Sequence, residues 1–253
     1  CQMAVDLVLK DGIVIVNDKE TILSLAIDSG QIEGFYKHGE EPESKRNIDC
    51  RGLYILPGLI DMHVHLRDLD QSEKEDYESG TMAAAAGGIT TVVDMPNSKP
   101  PVLTRKILDQ KIASATEKRF VNVGFYAGVG KIFDASMVPD ILGLKVYPHS
   151  PLLNGMNYDI KRIRECFQLA NKHNLPLLFH PDSSTKDEKP ETREEFFLIH
   201  SCESEVNSLQ AFLDAKVEYE ARLHVCHVSC AATARLILEH RAEHTLTAEV
   251  TPH

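Results

Sequence analysis

The stretch Leu59-Ile60-Asp61-Met62-His63-Val64-His65-Leu66-Arg67, directly after Ile55-Leu56-Pro57-Gly58, decides the reading of this chain. An apolar β-forming run leads into two histidines two positions apart. Successive side chains of a strand point to opposite faces, so His63 and His65 point the same way. Two imidazoles at a strand end make half of a metal site. From this strand onward, apolar runs alternate with helix-like stretches, the pattern of a parallel α/β arrangement. Strands are expected at 59–63, 89–95, 121–127, 143–147, 175–180, 222–228 and 245–250. Helices are expected at 74–86, 104–117, 160–173, 203–215 and 231–241, and a charged insert, 181–195, follows the fifth strand.

Seven such strands imply an α/β fold of the (β/α)8 TIM-barrel type, which takes roughly 250 residues. The barrel region is expected to span 58–253 and to stop before its eighth strand. A barrel lacking one strand leaves two open edges. The C-terminal strand is therefore expected to be missing from this chain, and the native protein to continue beyond His253. Upstream, 1–57 reads as a small β-sheet, part of a β-sandwich. Its strand-like segments 6–10, 12–16 and 24–27 are punctuated by the turn signals Asp11-Gly12 and Ser29-Gly30.

Composition narrows the functional classes. The net charge of −11 across 253 residues disfavours nucleic acid, whose binding needs basic surface. It leaves room for a small anionic substrate, because one arginine can dominate a pocket. No apolar run is long enough for a membrane span, and no basic-then-apolar leader opens the chain, so a cytoplasmic location is expected. Six cysteines lack a Cys-x-x-Cys pair or framework spacing and read as free thiols.

Active sites of such barrels sit at the C-terminal ends of the strands. There the sequence places His63 and His65 on strand one, Lys145 on strand four, His180 on strand five and His227 on strand six. Four imidazoles suit zinc. Lys145, inside Gly143-Leu144-Lys145-Val146-Tyr147, is costly to bury unless it reaches the rim, pairs with a carboxylate or is chemically altered. Arg67 lies two residues beyond His65 on the same face, and its planar fork can bind a carboxylate bidentately. A salt bridge to Asp68, Asp70 or Glu73 is its structural alternative. Asn97 ends strand two in Met95-Pro96-Asn97 and can donate to the same carboxylate, or bond its own turn.

His63-Val64-His65-Leu66-Arg67, the segment from Lys74 to Thr81 and the run Ala83 to Asn97 ending in Met95-Pro96-Asn97 together resemble the dihydroorotase branch of the amidohydrolase superfamily. The resemblance runs over 5–253. It implies a hydrolase carrying two Zn2+ ions, held by His63, His65, His180 and His227 and bridged by a carboxylated Lys145. It implies reversible closure of N-carbamoyl-L-aspartate to L-dihydroorotate in pyrimidine biosynthesis, with Arg67 and Asn97 on the substrate carboxylate. Relatives acting on hydantoins, dihydropyrimidines or allantoin generally lack that Arg and Asn together. The alternatives are such a cyclic amidohydrolase, or a non-catalytic relative that partners aspartate transcarbamoylase. Family habit also implies a homodimer.

Departures from the family pattern are few. Pro181-Asp182 follows His180 where many relatives carry Ala-Glu, whereas Leu223-His224-Val225-Cys226-His227-Val228-Ser229 is closely like it. The resemblance also implies a catalytic aspartate at the end of strand eight, which is expected to lie beyond His253. Neither Asp61, read as a strand-end hydrogen-bond acceptor, nor Asp94 takes its place. His224 is read as facing away from His227, an ordinary packed or exposed residue. Cys226 is read as packing in the outer layer of the barrel. His253 resembles a residue that does not bind metal, and His38, His149, His173, His200, His240 and His244 are read as structural or surface histidines.

Overall fold

Alternation and turn chemistry build the first of two units into which the chain divides, Cys1–Gly58 and Leu59–His253. The structure, a computed structural model, describes residues 4–148, 152, 158–182, 190–216, 219–240 and 245–251. His149, His244 and His253 lie outside the described residues. In the first unit, β1 (Leu7–Val16), β2 (Lys19–Asp28), β3 (Gln31–Tyr36) and β4 (Asn47–Asp49) form a sheet of order β3-β2-β1-β4. The hairpin turns are Asn17-Asp18 and Ser29-Gly30, each with two consecutive positive φ angles, the geometry that matches strand twist. The turn expected at Asp11-Gly12 is instead a bulge within one continuous strand. The β1–β2 register shifts between Leu9 and Gly12, and Asp11 sits at φ 56°. A side chain at Gly12 would run into Ile55, so glycine is required there by close approach.

The second unit holds a curled parallel sheet of (β/α)8-barrel type. Its strands are β5 (Leu59–Val64), β6 (Ile89–Asp94), β7 (Asn122–Gly128), β8 (Gly143–Val146), β9 (Leu177–Phe179), β10 (Leu223–Val225) and β11 (Leu246–Ala248), and they lie side by side in chain order. Helices α1 (Tyr77–Ala86), α2 (Arg105–Lys118), α3 (Ile160–His173), α4 (Arg193–Ile199), α5 (Cys202–Lys216) and α6 (Ala231–Glu239) occupy the connections. On α3, Ile163, Cys166, Phe167 and Ala170 are buried, a stripe at helical spacing that packs on the sheet. Asp159 caps its start and Asn174, at φ 52°, its end. Helix α4 lies partly within the expected charged insert. Its Thr192 and Glu195 form a capping box, a local signal that the charge pattern obscured.

The sheet has two different faces. Phe125, Ala127, Leu144, Val146, Leu177, Phe179, Leu223 and Val225 belong to the large core shared with the helices. Phe179 stacks on Phe212 of α5 with ring centroids 4.0 Å apart. The residues between them along the strands, Val93, Met95, Tyr126, Leu178 and Cys226, form a separate small cluster on the inner face.

Two of the six cysteines are not free. Cys202, opening α5, is bonded to Cys230, the N-cap residue of α6, with Cα atoms 5.6 Å apart. They are 28 residues apart, and only the packing of α5 beside α6 brings them together. Among the described residues Cys50, Cys166 and Cys226 carry free thiols. No helix of the described residues is long and apolar enough to cross a membrane.

Candidate metal centre

The inner face of β5 carries His63 and His65, whose ring centroids are 5.3 Å apart. Asp61 accepts the His63 backbone N–H at 3.0 Å, at an irregularity in the β5–β6 register. His227, just past β10, has φ 35°, and its ring lies 5.2 Å from that of His63 and 4.4 Å from that of His180. Four histidines from the ends of β5, β9 and β10 thus converge at one mouth. His65, together with His227, is pushed down to about 4, foremost by burial, so both imidazoles are neutral at physiological pH and keep a lone pair to offer.

The neighbours of these rings assign their nitrogens. His65 Nδ1 faces Asn97 Oδ1 at 2.7 Å, and His63 Nδ1 faces the Glu249 carboxylate. A carbonyl or carboxylate oxygen accepts a hydrogen bond from Nδ1–H, which leaves the Nε2 lone pair of each ring for a metal. Burial works against ionisation of Glu249, but its contacts with His224 and His63 outweigh that and hold the carboxyl well below the usual range.

Lys145 neither reaches the rim nor pairs with a carboxylate. It is fully buried, with Nζ 2.6 Å from Cys226 Sγ and 5.2 Å from the centre of the Tyr147 ring. No carboxylate of the described residues lies within ion-pair distance. Burial lowers its pKa and raises the Cys226 thiol to about 11, so each favours its neutral form.

That contact corrects two expectations. Cys226 belongs to the inner cluster with Lys145, not to the outer layer. His224 faces inward too, buried, with Nδ1 2.9 Å from Thr247 Oγ1 and Nε2 3.4 Å from Glu249. Alternation counted back from His227 misplaces both residues. His227 lies beyond the strand in a left-handed conformation, where the period of two no longer holds. Counting from Leu223 and Val225, which face outward, gives the right parity.

Arg67 and Asn97 share a cavity of about 410 Å3 with His63, His65, Tyr147, His180 and His227. Arg67 opens three consecutive residues of positive φ and donates Nη1 to the Asn97 carbonyl at 3.3 Å. Among the described residues no carboxylate pairs with it. Asp68, offered as its alternative partner, is bound by Ser114 and Lys118 instead. Asn97 spends its Oδ1 on His65, which leaves its amide N–H groups for a ligand. Asp94 lies outside this cavity, since its side chain accepts from Leu66 N–H, Tyr77 hydroxyl and Lys111. Tyr147, on the inner face two residues past Lys145, also lines the cavity. Nothing in the sequence pattern singles it out from the apolar run Gly143-Leu144-Lys145-Val146-Tyr147.

A family model described as the amidohydrolase family matches residues 54–251. The chain is 33% identical to a dihydroorotase of Methanosphaera stadtmanae over 98% of its own length and 59% of that protein's. It is 29% identical to an allantoinase of Deinococcus radiodurans over 99% of its own length and 59% of the relative's. Its fold is similar to that of an L-hydantoinase (dihydropyrimidinase) from Arthrobacter aurescens, with a TM-score of 0.85 at 23% identity, covering 98% of this chain and 58% of that one. The chain thus spans about three-fifths of the length of the curated relatives it matches.

Proposed function

Because the chain belongs to the amidohydrolase family, we propose that the protein interconverts N-carbamoyl-L-aspartate and L-dihydroorotate by metal-dependent cyclic amide chemistry. The observation that carries this reading is Arg67. Its guanidinium lacks a carboxylate partner among the described residues and lines the same cavity as four histidines and Asn97. A forked cation left open beside a metal-type donor set suits a substrate that brings its own carboxylate.

The donor set fits zinc. His63, His65, His180 and His227 offer nitrogen, and the Nδ1 contacts of His63 and His65 leave Nε2 for a metal. The Lys145 amine, buried and without a counter-ion among the described residues, is suited to add carbon dioxide: a nitrogen–carbon bond forms, one proton leaves, and the carbamate contributes anionic oxygens. Bound zinc would supply Lewis-acid activation of the ring amide and of water. Arg67 holds the substrate carboxylate, and the Asn97 amide donates to it while its carbonyl steadies His65. Those contacts orient the ring so that its amide carbonyl meets the histidine side of the cavity, which is where positioning lowers the barrier.

Arg67→Ala tests the reading. It is expected to raise KM for dihydroorotate by at least tenfold, on the order expected for loss of a charged hydrogen-bonding partner, with zinc content unchanged. An unchanged KM would remove Arg67 from the substrate site. The second reading is a neutral cyclic amide as substrate, favoured by the similarity to the Deinococcus radiodurans allantoinase. Turnover of dihydrouracil or allantoin in preference to dihydroorotate would select it.

A further inference from the structure

Among the described residues that line the cavity holding Arg67 and Asn97, one fully buried side-chain polar atom has no hydrogen-bond partner. Tyr147 is 7% exposed, and its hydroxyl is fully buried with no hydrogen-bond partner among the described residues. A buried hydroxyl without a partner costs free energy relative to one left in water, and a phenylalanine would fill the same space without that cost. Tyrosine at this position therefore works against stability, unless something that enters the cavity satisfies it.

The surroundings narrow down what that is. The Tyr147 ring is held in place: its centroid lies 6.3 Å from that of His180, and Lys145 Nζ sits 5.2 Å from its centre. Leu144 and Val146 on either side of Lys145 are buried in the outer core, so the strand cannot turn to take the hydroxyl elsewhere. The other polar groups of the cavity are donors or metal-type nitrogens: the Arg67 guanidinium, the free amide N–H groups of Asn97 and the histidines. No carboxylate of the described residues lines the cavity. A hydroxyl in such company meets a ligand as a donor, and the ligand must offer oxygen acceptors.

We propose that Tyr147 is a substrate-positioning residue, its hydroxyl donating a hydrogen bond to an oxygen of the bound substrate beside the contacts of Arg67 and Asn97. This rests on the dihydroorotate reading given above. A carboxylate oxygen and a ring carbonyl oxygen offer the same acceptor chemistry, and the substrate carries both. The rigid ring places the donor before the substrate arrives, so little ordering is needed on binding.

Tyr147→Phe provides the test, because it removes one oxygen and keeps the ring. Three quantities are measured on the full-length, zinc-loaded protein and its variant: steady-state constants for dihydroorotate, zinc per chain, and the melting temperature without substrate. The expected result is a KM raised about tenfold, in keeping with the loss of one buried hydrogen bond to a ligand. Zinc content stays equal and the melting temperature is unchanged or higher. The rise or constancy in melting temperature separates this role from a structural one, since a hydroxyl that held the fold together would lower it on removal. An unchanged KM, or a lowered melting temperature, overturns the proposal. Competition by orotate and by uracil identifies the acceptor. Weakening of orotate alone assigns the carboxylate, weakening of both assigns a ring carbonyl, and either keeps the hydroxyl in the substrate site. If the wild-type protein fails to turn over dihydroorotate at all, it is the substrate reading that falls. Wild-type turnover with an indifferent Tyr147→Phe removes Tyr147 alone.

Discussion

Among the described residues of the barrel unit two lysines are completely buried, and their surroundings could hardly differ more. Lys111, on α2, meets Asp94 with Nζ 2.6 Å from Oδ2, and both side chains are 1% exposed. It also donates to the Arg67 carbonyl at 3.3 Å. Lys145, on the inner face of β8, meets a thiol and the face of a tyrosine. The first lysine has a counter-ion and serves as structure. Asp94 accepts the Leu66 N–H while Lys111 donates to the Arg67 carbonyl, so the pair grips both sides of the turn that presents Arg67 at positive φ. The second has no counter-ion among the described residues, and burial pushes it towards the neutral amine. Burial alone says nothing about what a lysine is for. The partner decides.

The contrast can be broken by substitution. Lys111→Met should be the most damaging change, because it strands the Asp94 carboxylate in the interior at a cost of about 3–5 kcal/mol, read from urea denaturation. Lys145→Met should change stability by less than about 1.5 kcal/mol, since an apolar chain of similar length replaces a buried amine that pairs with no carboxylate of the described residues. Its effect should appear elsewhere: zinc per chain falls, and the dependence of zinc content on bicarbonate disappears. If Lys145→Met unfolds the protein as readily as Lys111→Met, the distinction between the two lysines fails. Arg67→Ala sharpens the comparison at its mild end. Stability should move by no more than about 0.5 kcal/mol, because among the described residues that side chain bonds only a carbonyl at the cavity wall.

Much of the barrel was legible because buried parallel strands are written as short apolar runs, and all seven expected runs hold a strand. The ends were less so. The run expected at 222–228 contains a strand only three residues long, Leu223–Val225, because the chain leaves the sheet before His227. That early exit is why the facing of His224 and Cys226 was misread. In the first unit, β3 and β4 went unseen: Gln31–Tyr36 is mostly exposed and carries a glycine, and Asn47–Asp49 is three polar-rich residues that pair only through β1.

The convergence of His63, His65, His180 and His227 followed from placing each at a strand end. Lys145 and its missing counter-ion were legible only as a question, since no pattern along the chain reports which carboxylates are absent from an interior. Tyr147 was not legible at all. An aromatic residue in an apolar strand looks like packing until its hydroxyl is found with nowhere to bond. The Cys202–Cys230 bond was hidden for a similar reason, being made by two helices that meet only in the folded unit.

The barrel strands lie side by side in the order in which they are made, so each new strand finds its partner already in place. During synthesis His63 and His65 leave the ribosome with the first of these strands, and Lys145, His180 and His227 follow on later ones. A nascent chain halted before β10 offers an incomplete set of donors. A metal that needs all four imidazoles would thereby have to wait until the sheet has grown as far as β10, one strand at a time.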